Sequence, residues 1–322
     1  MVPLNSPLIH NEFFPGTAMG REGDISCPTA MELRAAHRAG LKTLLENHVP
    51  SAQLAADLLL MHVLDRDRGY IHAHPEVEIS AEISERYFGL IAERTTGKPT
   101  QYITGHQEFW GLDFEVSSDV LIPRPETEHI VEAVIDLVRR QGMPIDARLR
   151  IADVGTGSGC IALALASEFP RAVIFGADVS RPALVVASRN AMRLHMPERV
   201  KFLESDLLAR FLDADFLSSF DFVVSNPPYV AHSELDKVQR EVRDFEPRLA
   251  WGDLKRGDEM YRRLFPQALQ ALKPGGYAVL EIGYNMRDTV LALLAEGWSD
   301  VEVRPDLAGI PRVIISRKPE QS

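Results

Sequence analysis

The residues best equipped for chemistry are Asn226-Pro227-Pro228-Tyr229, which directly follow the apolar run FDFVVS. An Asn side-chain oxygen and a nearby backbone carbonyl make a pair of hydrogen-bond acceptors. Such a pair suits a planar –NH2 group: each N–H finds a partner and the nitrogen lone pair is aimed elsewhere. The two prolines fix the backbone at this turn, and Pro227 has no N–H to compete for its own carbonyl. Tyr229 offers a flat face to the same planar group. A rigid turn of no chemical consequence is the plain alternative, but the position after a buried strand, where open α/β sheets bind ligands, favours the chemical reading.

A second group of residues reads as a ligand cradle. Asp153-Val154-Gly155-Thr156-Gly157-Ser158-Gly159-Cys160 closes another apolar run and opens a helix. Glycines here let the backbone turn tightly and come close to a ligand. A dinucleotide fingerprint needs its third glycine at position 160, which is Cys160. The register is instead G-x-G-x-G, the form of an S-adenosylmethionine loop; a purely structural turn is the alternative. Asp178 ends the run AVIFGAD, 23 residues after Gly155. It is placed to accept hydrogen bonds from two ribose hydroxyls, a feature shared by NAD enzymes and methyltransferases. It could also cap the helix that begins near Ser180. Asp206 ends VKFLESD, where the carboxylate or its neighbouring backbone can meet an adenine edge, or cap LLARFL.

The element that must hold these groups is a sheet. After residue 149, the runs RIADVG, AVIFGADV, VKFLESD, FDFVVSN and GYAVLEI alternate with helical stretches, and VEVRPD and RVIISRK close the chain as a hairpin. Continuous apolar strands between helices mean a mostly parallel sheet buried on both faces, so the expected class is α/β with seven strands. Ahead of it, Met31, Leu33, Leu41, Leu44 and Leu45, then SAQLAADLLLMHVL with Ser51 as N-cap, then Ser80 to Ile91, have helical spacing. Residues 97–118 set Tyr102, Ile103, Phe109, Trp110, Phe114 and Val116 between glycines and read as a β-hairpin. In LIPRPETEHIVEAVIDLVRR, Pro125 suits a first helical turn. The expected plan is a loose leader at 1–28, a helical domain at 29–96, a hairpin linker at 97–118 and the α/β domain at 119–322.

Composition narrows the class. The 322 residues hold 35 Lys and Arg against 46 Asp and Glu, a formal charge of −11. That balance disfavours a protein that grips nucleic acid by bulk charge. Cys27 and Cys160 are too few and too far apart for a disulfide framework or a cysteine zinc site. His62, His72 and His74 lack a third ligand at metal spacing, so no metal is expected. No stretch reaches the ~18 uninterrupted apolar residues of a membrane span, and the N-terminus does not read as a secretory signal. A cytoplasmic protein is the simplest expectation.

These motifs resemble the class I S-adenosylmethionine-dependent methyltransferases of the N-P-P-Y type, and within them the protein-(glutamine-N5) methyltransferases of peptide chain release factors. The resemblance spans about residues 30–318 and rests on GKPTQYITGHQEFWGLDFEV, LIPRPETE, DVGTGSGCIALALA, SNPPYV, EPRLA, LKPGGYAVLEIG and VRPDLAGIPRVIISR. LIPRPETE and EFWGLDF separate this group from generic amino-methyltransferases and from the sister enzyme acting on a large-subunit ribosomal protein. The resemblance implies a Rossmann-like seven-stranded sheet with its last strand antiparallel, behind a small helical domain. It implies that Gly155, Thr156, Gly157, Ser158 and Gly159 wrap the methionine part of S-adenosylmethionine, that Asp178 holds its ribose, and that Asp206 and Leu207 lie near adenine. Asn226, Pro227, Pro228 and Tyr229 would hold a glutamine amide, with Phe109 walling the cofactor pocket and Arg124 and Glu126 bracing it. The implied partner is a release factor, met by a monomer without nucleic acid or membrane.

Departures exist. After EPRLA the family usually shows a Gly-Gly pair, where this chain has Asp253 and Leu254; Leu207 stands where some members carry an aromatic; and the leader is long. Three other readings stay open on the residues alone. An adenine-N6 nucleic-acid methyltransferase would use the same acceptor pair. A ribosomal-protein glutamine methyltransferase shares N-P-P-Y. A non-catalytic nucleoside-binding module would need only the glycine loop. A nicotinamide dehydrogenase is disfavoured by Cys160.

Overall fold

The computed structural model describes residues 30–320 except 215, 253–254 and 295–296. The leader and the Asp253–Leu254 departure therefore lie outside the described residues. The first unit packs α1 (Leu33–Glu46), α2 (Ala52–Leu64), α3 (Arg68–Ala73) and α4 (Ala81–Thr95). Beside them, a two-residue antiparallel pair joins β1 (Met31–Glu32) and β2 (Glu78–Ile79). Leu33, Leu44, Leu59, Leu60, Tyr87 and Ile91 fill its core. Ser80 caps α4, its Oγ accepting the Ile83 N–H at 3.2 Å. Ser51 does not cap α2: it sits at φ +49°, and its side chain makes no capping bond.

Residues 97–105 depart from the expected hairpin. They form a short helix, α5 (Thr100–Thr104), started at Pro99 and ended at Gly105 with φ +80°. Tyr102 is thus on a helix, where its hydroxyl donates to the Val120 carbonyl at 2.5 Å. The hairpin itself is β3 (His106–Phe109) paired with β4 (Leu112–Glu115).

The α/β unit enters through a 3-10 turn at Pro125–Thr127 into α6 (Glu128–Arg140). There follow β5 (Arg150–Val154), α7 (Cys160–Glu168), β6 (Val173–Asp178), α8 (Arg181–Arg193), β7 (Val200–Glu204) and β8 (Phe220–Ser225). Then come α9 (Arg240–Phe245), α10 (Arg248–Trp251), α11 (Glu259–Ala271), β9 (Leu272–Glu281), α12 (Arg287–Leu293), β10 (Ser299–Pro305) and β11 (Pro311–Arg317). The seven strands from β5 onward form one sheet in the order β10-β11-β9-β8-β5-β6-β7. β11 alone is antiparallel to its neighbours, so the last strand of the chain lies inside the sheet and not at its edge. Alternate residues feed two cores. Ile151 and Val224 face α6 and α7; Ala152 and Val223 pack with Leu264 and Phe265 of α11.

Strand order reverses at β5. The chain leaves it for β6 and β7 on one side, then returns to β8 on the other. A crevice opens outside the carboxyl ends of the strands at such a switch point. Register brings Val154, Ala177 and Ser225 to one level there, and Ser225 Oγ ties β8 to the Val154 carbonyl at 2.6 Å. Among the described residues no helix is long and apolar enough to cross a membrane.

Candidate active site

A cavity with about 990 Å³ of empty space occupies that crevice. Its floor is the glycine loop between β5 and α7. Gly155 and Thr156 donate their N–H groups to the Ala177 carbonyl at 2.8 and 2.9 Å, folding the loop back on β6. Gly159 sits at φ +83° as the cap of α7, where side chains of Phe202, Ala187 and Leu163 would lie 3.2–3.3 Å from an added Cβ. It shapes the loop, whereas Gly155, Thr156, Gly157 and Ser158 line the cavity.

The loop is held from below and from the side. Asp153 is fully buried, and its carboxyl is pushed up to about 7 by burial, against the pull of the Thr156 hydroxyl at 2.6 Å. Asn190 of α8 accepts the Glu115 N–H at 2.7 Å and donates to the Glu115 and Ser158 carbonyls at 3.0 and 2.9 Å. The hairpin is thereby tied to the loop. Gly176 in β6 is a close approach: a Cβ there would lie 2.6 Å from Phe202 and 2.8 Å from Thr156 Oγ1. Gly176→Ala is expected to cost about 1–3 kcal/mol by overpacking. A thermal melt would show a Tm several degrees lower.

Asp178, at the end of β6, lines the cavity and anchors its rim. One carboxylate oxygen accepts the Gly157 N–H and the other the Ser180 N–H, both at 2.9 Å. Burial raises its carboxyl despite these donors. Ser180 itself caps α8 through Ala183, so Asp178 and the cap work together. Asp206 and Leu207 line the far end. The Asp206 side chain is 60% exposed and pairs with Arg263 of α11. The 3-10 turn at Ala209–Phe211 that follows has no side-chain cap, and Ser205 Oγ accepts the Arg210 N–H at 3.1 Å. Cys160 touches the cavity, but burial pushes its thiol up to about 12, which disfavours it as a nucleophile at neutral pH.

The opposite wall carries Asn226 and Pro228 at the end of β8. Asn226 Nδ2 donates to Thr127 Oγ1 at 3.0 Å. Pro227 is buried and Tyr229 half-buried, and neither side chain belongs to the cavity lining. The Tyr229 ring packs against Gly283, and its hydroxyl donates to Glu281 Oε1 at 3.3 Å. Burial next to the Glu281 charge holds that phenol well above its ordinary value.

Phe109 is not brought to the cavity. It is 1% exposed and lies edge-on to Phe114, centroids 6.2 Å apart, inside the core beside α6. The wall expected of it is built instead by Asp119, Val120, Leu121 and Pro123, just after the hairpin. Arg124 lines the cavity and pairs with Glu246 at 2.6 Å, while Glu126 is not part of the lining. Glu246 also accepts the Ile122 N–H at 3.3 Å, binding the segment after α9 to the wall. Pro247, Leu249 and Ala250 extend that wall. Sequence reasoning missed these residues, along with Thr127 and Met260; the EPRLA motif was the available signal for the 246–250 stretch.

Comparison with known proteins matches this architecture. Residues 35–105 fit the family model of a PrmC N-terminal domain, and residues 138–250 that of a methyltransferase small domain. The chain is 49% identical over 289 residues to the release factor glutamine methyltransferase of Koribacter versatilis, covering 90% of this chain and 99% of the relative. It is 38% identical over 293 residues to that of Moorella thermoacetica, covering 90% of this chain and all of the relative. Among solved structures, the hMettl16 catalytic domain in complex with MAT2A 3'UTR hairpin 6 shares the fold at a TM-score of 0.51 and 17% identity, over 72% of this chain and 82% of that one. At such identity and coverage to curated relatives, the chain belongs to the release factor glutamine methyltransferase family.

Proposed function

We propose that this protein transfers the methyl group of S-adenosylmethionine to the side-chain N5 of the glutamine in the Gly-Gly-Gln loop of a bacterial release factor. The observation that carries the reading is the tether on Asn226, at the lip of a cavity whose floor is the glycine loop. With one Nδ2 N–H given to Thr127, Oδ1 is the amide's acceptor for a ligand. The cavity fits the cofactor: Asp178 carries lone pairs for ribose hydroxyls, Leu207 and Met260 give apolar surface for a base, and the buried Ser158 Oγ has no hydrogen-bond partner among the described residues.

The bound cofactor supplies an electrophilic methyl carbon on a sulfonium. The protein's task is orientation, because an amide nitrogen is a poor nucleophile whose lone pair is spread into its carbonyl. Asn226 Oδ1 and the Pro227 carbonyl accept its two N–H groups, favour a pyramidal nitrogen and turn the lone pair toward the methyl carbon. Positioning of this kind contributes up to about 7–11 kcal/mol in ideal cases. The new N–C bond forms as the C–S bond breaks, and the surplus proton passes to water.

Residues 29–96 recognise the protein substrate in this reading. Two contacts support it: Arg94 of α4 pairs with Glu241 of α9, and Arg240 donates to the Thr96 carbonyl at 3.1 Å. They join the helical unit to the chain that runs on into the cavity wall. A cytoplasmic monomer acting on protein and not nucleic acid is consistent with the charge of −11. Mass spectrometry of release factor incubated with enzyme and methyl-labelled cofactor tests the proposal. One labelled methyl on the glutamine of Gly-Gly-Gln is expected; label elsewhere, or none, would reject it.

A further inference from the structure

The side-chain amide of Asn226 has two similar ends, and only one serves a substrate –NH2 group. What selects that end lies behind it. Thr127 Oγ1 receives the Asn226 N–H at 3.0 Å, and the Thr127 hydroxyl donates to Glu281 Oε2 at 2.6 Å. The Tyr229 hydroxyl occupies the other oxygen, Oε1, at 3.3 Å. These groups come from the turn before α6 and the ends of β8 and β9. Thr127 and Glu281 are each only 2% exposed.

The direction of this chain follows from proton counting. An ionised carboxylate only accepts hydrogen bonds. It draws the Thr127 proton to itself, which leaves the Thr127 oxygen as an acceptor. Only the –NH2 end of Asn226 can meet that acceptor, so Oδ1 turns outward. Among the described residues Glu281 makes no direct ion pair. Arg312, the cation that faces it, gives its Nε to Asp306 at 2.9 Å. The other groups facing Glu281 are Glu126 and Tyr261, whose hydroxyl binds the Glu281 backbone carbonyl at 2.8 Å. A buried carboxylate without a bonded cation is costly, so its presence calls for a role.

We propose that Glu281, acting through Thr127, is the positioning residue that fixes which end of the Asn226 amide the substrate meets, and that its ionised form holds Oδ1 outward as the acceptor. The inference rests on the reading of Asn226 given above. When Glu281 is protonated, it can donate to Thr127, whose own hydroxyl then turns to Asn226. The amide is free to flip, and an N–H would face the substrate's N–H groups. Burial pushes the Glu281 carboxyl up to about 7, so this transition falls in a measurable range. The sign follows: kcat rises with pH through about 7, as the carboxyl ionises.

The test uses the full-length enzyme with release factor and S-adenosylmethionine between about pH 6 and 9. Thr127→Val is expected to lower kcat by about 10–100-fold, the worth of one buried hydrogen bond and its orphaned partner. Thr127→Ser should restore it to within about threefold, because the hydroxyl is kept. Cofactor affinity by calorimetry should stay within about twofold in Glu281→Gln, since Glu281 is not part of the cavity lining. Glu281→Gln is expected to flatten the acidic limb of the pH profile. An unchanged kcat in Thr127→Val would overturn the proposal. So would an unshifted acidic limb in Glu281→Gln, and where that variant does not fold, the Thr127 pair decides alone. Asn226→Ala keeps the two readings separate. If it is inactive while Thr127→Val is fully active, only this inference falls; if it retains transfer, the Asn226 reading falls with it.

Discussion

Asn226→Ala is expected to lower kcat by at least about 10²-fold, since a misplaced reacting amide forfeits most of the orientation the site supplies. Cofactor affinity should stay within about threefold, because the glycine loop, Asp178 and the 119–124 wall are untouched. Stability should change little: the Thr127 oxygen loses one donor, worth about 1 kcal/mol. Single-turnover kinetics and calorimetry on the same preparation separate these effects. A variant that binds cofactor normally and cannot transfer is the signature of an orienting residue.

Asp178→Ala should act on the other half of the site. Two charge-assisted hydrogen bonds to ribose, about 1.5–3 kcal/mol each, amount to a loss of about 10²–10⁴-fold in affinity for S-adenosylmethionine. The same carboxylate accepts the Gly157 and Ser180 N–H groups. Its removal therefore also loosens the loop. Asp178→Asn keeps an acceptor and should recover part of the affinity. Turnover at saturating cofactor should fall much less than affinity, the reverse of Asn226→Ala. Calorimetry showing wild-type affinity in Asp178→Ala would remove Asp178 from the cofactor site.

The sheet was legible because its inner strands β5, β6 and β8 are apolar runs buried on both faces, and the cavity followed from where those runs end. Gly155, Asp178 and Asn226 all stand one step past such a run, which is why spacing alone brought them to one crevice. Local signals misled in two places. The aromatic pattern of 97–118 masked the helix that Pro99 starts and Gly105 ends. Phe109 looked like a pocket wall because its neighbours carry the motif, yet alternation along β3 turns it into the core. Thr127 and Glu281 were beyond reach for a different reason. Their hydrogen bond joins residues 154 positions apart. A Thr in a helix-start motif and a Glu at a strand end each look ordinary until the sheet order brings β9 beside β8.

The same topology holds the parts of the site together. The loop floor and Asn226 sit on β5 and β8, adjacent strands crosslinked by Ser225. The walls at 119–124 and 246–250 are held to each other by Glu246, through Arg124 and the Ile122 N–H. Burial raises the Glu246 carboxyl while Arg124 pulls it down, so the latch depends on keeping that cation in place.

The most direct measurement is a crystal structure of the enzyme with S-adenosylhomocysteine and a release factor domain carrying the Gly-Gly-Gln loop. The expected result is a glutamine carboxamide whose nitrogen is hydrogen-bonded to Asn226 Oδ1 and the Pro227 carbonyl. That nitrogen should lie in line with the cofactor sulfur, leaving about 3–3.5 Å to where the methyl carbon would sit. A carboxamide held elsewhere, or an Asn226 amide turned with its –NH2 toward the substrate, would contradict it.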